Sequence, residues 1–242
     1  MDEVKRHENR LDLSTCRVIW ALSLKNIPYE YVEKDLTEKT PFLLHQKVSM
    51  IVDGGKWIAD SSVILEYIDE TWPQNPLLPV DRLDKATARS WIRFIDDKRA
   101  VVSRMFCSGG NEQIKAKQES LEMLQILEED GIGEEKFFGG EKIGMVDLAL
   151  GEFVEWLGVF EEVIGEKLME SGSFPRLEAW SRAFMAVPAI RENRADRDRM
   201  VENFKRYRVR LLHPSSTDHD LKGFLELFRC VCELVSCLIR IH

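Results

Sequence analysis

Lys47-Val48-Ser49-Met50-Ile51-Val52-Asp53-Gly54-Gly55-Lys56-Trp57-Ile58-Ala59-Asp60-Ser61-Ser62-Val63-Ile64-Leu65-Glu66-Tyr67-Ile68 carries the signals of a β-hairpin followed at once by a helix. Val48 to Val52 is an apolar run with β-branched residues, Asp53-Gly54-Gly55 signals a tight turn, and Lys56 to Ala59 returns as a second strand. Beyond this hairpin, Asp60 or Ser61 is placed to cap a helix whose apolar residues Val63, Ile64, Tyr67 and Ile68 recur at helical spacing. A strand pair therefore delivers the chain to the positive end of a helix, where backbone N–H groups and a hydroxyl can seat a carboxylate. A plain helix cap accounts for the same residues and stays open at this point.

Working outward, residues 3–7 read as a short edge strand, Cys16 to Leu24 as a helix stopped at Asn26, and Pro28 with the alternating Tyr29, Tyr31 and Val32 as the start of a strand. The order strand, helix, strand, hairpin, helix builds a thioredoxin-like α/β layer. After Trp72, Pro73-Gln74-Asn75-Pro76-Leu77-Leu78-Pro79 cannot continue a helix and marks a boundary. Helical periodicity follows over Ala86 to Lys98, Glu112 to Glu129, Glu152 to Val163 and Phe174 to Ala186. The expected fold is an α/β N-terminal thioredoxin-like domain followed by an all-α helical C-terminal domain. The expected bounds are 1–72, a linker over 73–85, a helical domain over 86–207 and a tail over 208–242. In the tail, Leu227, Val231, Leu234, Leu238 and Ile241 lie on one face of an expected amphipathic helix, Phe224 to Ile241.

The 242 residues are 44% hydrophobic and 31% charged, a globular composition, and the net charge of −8 leaves no basic surplus for phosphate backbones. The start, Met1-Asp2-Glu3-Val4-Lys5-Arg6-His7, lacks the apolar core of a secretory signal, so the expected location is cytoplasmic. Cys16, Cys107, Cys230, Cys232 and Cys237 form neither paired zinc motifs nor a disulfide framework, and no metal is expected. The charges Glu226, Arg229, Glu233 and Arg240 count against a membrane span in the tail.

The hairpin, cap and helix resemble the glutathione-binding stretch of the glutathione transferases, and most closely the plant tau class. The run from Arg17 to Leu36 resembles the first helix and second strand of that class almost residue for residue. The connector after Trp72 and the segment Phe137 to Ala149 resemble it as well. The resemblance covers roughly residues 3 to 207, and beyond Tyr207 it stops.

By this resemblance Lys39 and Lys47 face the glycyl carboxylate of glutathione, Val48 supplies a backbone pair, and Asp60 with Ser61 holds the γ-glutamyl end. Met105, Phe106 and Trp156 are the candidates for the hydrophobic-substrate pocket. Asp147 corresponds to a helix-capping position that serves folding. Each has a plain alternative: the lysines as solvated charges, Val48 as a core strand residue, the aromatic residues as packing.

Three positions depart from the family pattern. The family's Ser-Pro-Phe motif puts a hydroxyl beside the glutathione sulfur, where it favours the thiolate nucleophile, but Asp12 occupies that serine position here. An aspartate would raise the thiol pKa, so Ser14 becomes the catalytic candidate, with a cap for a helix beginning near Cys16 as its alternative. Ser49 stands where the family has a cis proline, and a cis bond before serine costs about 2.5–4 kcal/mol. The loop before Lys47 is also short.

The resemblance implies a cytosolic homodimeric enzyme, with glutathione as co-substrate, that joins the thiolate to hydrophobic electrophiles in detoxification and stress response. Two alternatives remain: a catalytically weakened or inactive relative that binds small hydrophobic ligands, and a helical docking module acting through the tail.

Overall fold

Gly54 and Gly55 both adopt positive φ, 52° and 79°, the pair of values a two-residue hairpin turn needs to match the twist of its strands. In the computed structural model, which describes residues 13–32, 50–212 and 238–241, this turn joins β2 (Met50–Asp53) to β3 (Lys56–Ala59) with Met50 opposite Ala59 and Asp53 opposite Lys56. The hairpin runs directly into α2 (Ser61–Thr71). Ahead of it come α1 (Leu13–Leu24) and β1 (Tyr29–Val32). Asn26, at φ 56°, ends α1 as expected, and the Ile27 amide turns back to the Leu22 carbonyl.

The four-stranded sheet has the order β1-β4-β2-β3, and β4 is Leu238–Ile241. It runs antiparallel to β1, with Tyr29 opposite Ile241, and parallel to β2, with Ile51 opposite Ile239. This corrects the expected amphipathic helix at its end: Leu238 and Ile241 belong to a strand. A short apolar run does not separate the two periods, and the open slot between β1 and β2 decides the matter by supplying backbone partners on both sides. The expected strand over residues 3–7 and the rest of the tail lie outside the described residues.

Cys16, Val18, Ile19, Trp20, Ala21 and Leu22 are all buried, so α1 has almost no solvent side. It packs on α2 and on α5 (Met145–Ile164), the central helix of the second layer. That layer also contains α3 (Arg82–Cys107), α4 (Gly110–Ile126), α6 (Pro175–Ala186), α7 (Pro188–Arg191) and α8 (Arg197–Leu212). The α3 helix is longer at both ends than the periodicity implied; at its start Asp81 caps it through the Leu83 and Asp84 amides. Asp147 behaves as expected of a folding residue. Its carboxylate accepts from the Phe138 amide at 2.9 Å, the Gly144 amide at 2.7 Å and the Trp180 indole at 2.7 Å.

The connector is fastened by a buried cation. Lys25 Nζ donates to the carbonyls of Trp72, Gln74 and Asn75 at 2.7, 3.0 and 3.2 Å and pairs with Asp69 at 2.8 Å. Asp69 in turn accepts from the Leu77 and Leu78 amides. Removing one partner of a buried pair leaves the others desolvated and unpaired. Lys25→Met is therefore expected to lower stability by about 3 kcal/mol in urea titrations, and a change below about 1 kcal/mol would contradict this account of the connector.

Candidate functional site

The site begins where β3 ends. Asp60 sits at φ 78°, ψ 120°, a backbone conformation an aspartate adopts only at a cost of order 1–3 kcal/mol. Its Oδ1 accepts from the Ser62 amide at 2.9 Å and the Val63 amide at 3.2 Å, so the carboxylate caps α2. Asp60 is exposed and Ser61 half-buried at the first turn, so both reach the surface at the helix's positive end. Ile64, Leu65 and Ile68 anchor the helix below them, while Val63, expected on the apolar face, is solvent-exposed.

The next residue ties this turn to the helical layer. Ser62 Oγ donates to Asp96 Oδ2 on α3 at 3.1 Å and accepts from Arg17 Nη1 on α1 at 3.4 Å. Arg17, completely buried, also reaches Asp96 Oδ1 at 3.0 Å and pairs through Nε with Glu152 on α5. Arg99 closes the cluster on Asp96 Oδ1 at 2.8 Å and Glu152 Oε2 at 2.9 Å. Two arginines and two carboxyl groups, with Ser62, thus join α1, α2, α3 and α5 directly behind the Asp60–Ser61 turn.

Burial alone would discharge Arg17, but Glu152 and Asp96 outweigh it and hold its pKa above the ordinary value. Burial pushes the Glu152 carboxyl up to about 8; Arg17 opposes the rise and Asp96 adds to it. Sequence reading missed this cluster. The available signal was Arg17 itself, a charge set among Cys16, Val18, Ile19 and Trp20 on a helix with no polar side.

The structure brings Asp60 and Ser61 together and places Ser14 by its backbone in the first turn of α1. The helix begins at Leu13, ahead of the expected start near Cys16, so Ser14 is not its cap. Lys39, Lys47 and Val48, with Asp12 and Ser49, lie outside the described residues. Met105, Phe106 and Trp156 are 2%, 0% and 7% exposed. Phe106 stacks on Phe160 at 4.3 Å between ring centroids, and Trp156 meets Phe160 and Phe204 edge-on at 5.2 Å each. These residues fill the layer between α3, α5 and α8 and turn their faces to one another. Among the described residues no group of His, Cys, Asp or Glu is arranged to hold a metal, and no helix is long and apolar enough to cross a membrane.

A thioredoxin-like layer with a capped, strained helix start, backed by an all-helical layer, defines the class of protein. Known proteins place it further. The family models "Glutathione S-transferase, N-terminal domain" and "Glutathione S-transferase, C-terminal domain" match residues 3–70 and 95–188. A probable glutathione S-transferase of Nicotiana tabacum is 40% identical over 194 residues, covering 78% of this chain and 86% of the relative. Glutathione S-transferase U8 of Arabidopsis thaliana is 38% identical over 197 residues, covering 78% and 88%. Among solved structures, the tau class enzyme from mango superposes with a TM-score of 0.73 at 30% identity, over 81% of this chain and 94% of that one. A rice GST1 structure in complex with glutathione gives 0.71 at 27%, over 83% and 93%. The chain belongs to the glutathione S-transferase family.

The elevated Glu152 pKa makes stability depend on pH in a definite direction. Between about 4.5, where an ordinary glutamate titrates, and about 8, the folded chain holds a proton at Glu152 that the unfolded chain has released. This group's contribution to stability is present below that window and lost as pH rises through it. From pH 5 to pH 8 the Tm of Glu152→Gln should rise relative to that of the wild type. A difference that stays constant across that range contradicts the assignment.

Proposed function

We propose that this chain is a tau-like glutathione transferase that joins the glutathione thiolate to hydrophobic electrophiles, in the detoxification and stress-response role the family resemblance implies. The observation that carries the reading is the Asp60–Ser61 turn: a strained, exposed helix start, in a chain about 40% identical to probable glutathione S-transferases over more than three-quarters of its length.

In this reading the α/β layer, residues 1–72, binds glutathione, residues 73–85 link it to the helical domain, and residues 86–207 hold the electrophile. The Asp60 carboxylate attracts the γ-glutamyl ammonium, while the Ser61 hydroxyl and the start of α2 meet the γ-glutamyl carboxylate. Lys39 and Lys47 hold the glycyl carboxylate, and the Val48 backbone pairs with the cysteinyl unit. Ser14 is the hydroxyl that favours the thiolate. Met105, Phe106 and Trp156 belong to the hydrophobic-substrate pocket, with Phe106 and Trp156 held by Phe160 and Phe204. The protein supplies orientation and thiolate stabilisation, with glutathione as the co-substrate and no metal in the reaction. A homodimer in the cytoplasm completes the proposal.

Asparagine caps helices as well as aspartate, so Asp60→Asn separates the cap from the charge. The variant should keep its Tm but bind glutathione about tenfold more weakly by calorimetry, the loss expected of one charge-assisted contact. Its conjugation of a generic aryl halide should fall in parallel. Unchanged affinity overturns the placement of the γ-glutamyl end. A wild-type chain that shows neither binding heat at millimolar glutathione nor turnover overturns the function.

A further inference from the structure

Among the described residues β1 and β2 share no pairing with each other; each is bonded to β4. The strand formed by Leu238–Ile241 is therefore the piece that makes one sheet of β1 and the β2–β3 hairpin. Ile239 and Ile241, 1% and 4% exposed, belong to the same core as Val18 and Ile51, so the strand is bonded on both edges and buried on one face.

The chemistry of the segment suits that slot. A strand at the middle of a sheet needs apolar, β-branched residues. Leu-Ile-Arg-Ile supplies three apolar residues in four, two of them β-branched. The register sets residue 30 opposite residue 240.

From β2 the chain passes through the Gly54–Gly55 turn and β3 to Asp60 with no intervening loop, so whatever positions β2 positions the strained turn at the head of α2. We infer that strand 238–241 is a strap that holds the glutathione seat in register with β1, so that withdrawing it from the sheet switches glutathione binding off. The strap lies far along the chain from the seat, beyond α8, and cutting the segment or pairing it elsewhere removes it without touching any glutathione contact.

The ligand named here rests on the function proposed above, while the strap is tested independently of it. A chain ending at Cys237 should show amide exchange over residues 50–53 accelerated by about a hundredfold or more, with α5 amides unchanged. Its glutathione affinity should fall at least about tenfold. Protection at residues 50–53 equal to that of the full chain overturns the strap. Absence of glutathione binding in the full chain defeats the functional reading instead, and the exchange data then decide the strap alone. Should the shortened chain fail to fold, Glu30→Cys/Arg240→Cys in the full chain provides the second measurement. Mild oxidation should give an intrachain 30–240 disulfide identifiable by peptide mass, and a folded chain that forms none overturns the proposal.

Discussion

A charge with nowhere to go governs this molecule. Arg17 lies on a helix covered on every side, and an unpaired guanidinium there would cost several kcal/mol. It is tolerated because Glu152 on α5, Asp96 on α3 and Ser62 on α2 arrive at its nitrogens. Apolar contacts hold helices together over a range of small shifts, whereas a planar cation with directional donors accepts few arrangements. The relative placement of α1, α2, α3 and α5 is thus set at one point, directly behind the turn that forms the candidate site.

That turn depends on the same point. Asp60 holds an unfavourable φ while its carboxylate caps the Ser62 and Val63 amides, and the Ser62 side chain is held by Asp96 and Arg17. The strain at Asp60 is thus offset by a cap on one side and by a buried polar cluster on the other. Asp60 and Ser61 stay at the surface because Ser62 turns inward. Three consecutive polar residues divide into two that can meet a ligand and one that fixes them to the scaffold.

What the sequence made legible was local. The Asp53-Gly54-Gly55 turn, the Asp60 cap and the Asn26 stop each depend on neighbours within a few residues, and each appears as read, while of the α2 stripe Ile64 and Ile68 are buried and Val63 is not. Asp147 was readable as a folding residue because its capping geometry is also local. The long-range partners were not legible. Nothing near Arg17 names Glu152, and nothing near Lys25 names the carbonyls of Trp72, Gln74 and Asn75. The end of the tail was misread because Leu238 and Ile241 fit a helical stripe while Ile239 and Ile241 fit a strand, and a slot two hundred residues away in sequence settles the choice. Met105, Phe106 and Trp156 were legible as apolar, but their near-complete burial depends on the packing of α3, α5 and α8, which joins residues far apart in sequence.

The α/β layer is secured to its surroundings in two physically different ways. The Arg17 cluster is polar, interior and bonded from four helices, so opening it exposes two arginines and two carboxyl groups together, and only large-scale separation of the layers relieves that cost. The β4 contribution is a short stretch of backbone pairing plus two isoleucines in the core, which leave as a unit when the strand leaves. The first therefore fixes where α2 stands relative to the helical layer, and the second fixes where the hairpin stands relative to β1. Asp60 is the residue at which the two constraints meet, because it ends the hairpin and begins the helix. A small displacement of either neighbour must be absorbed in its backbone, which already lies outside the favoured regions and has little room to absorb it.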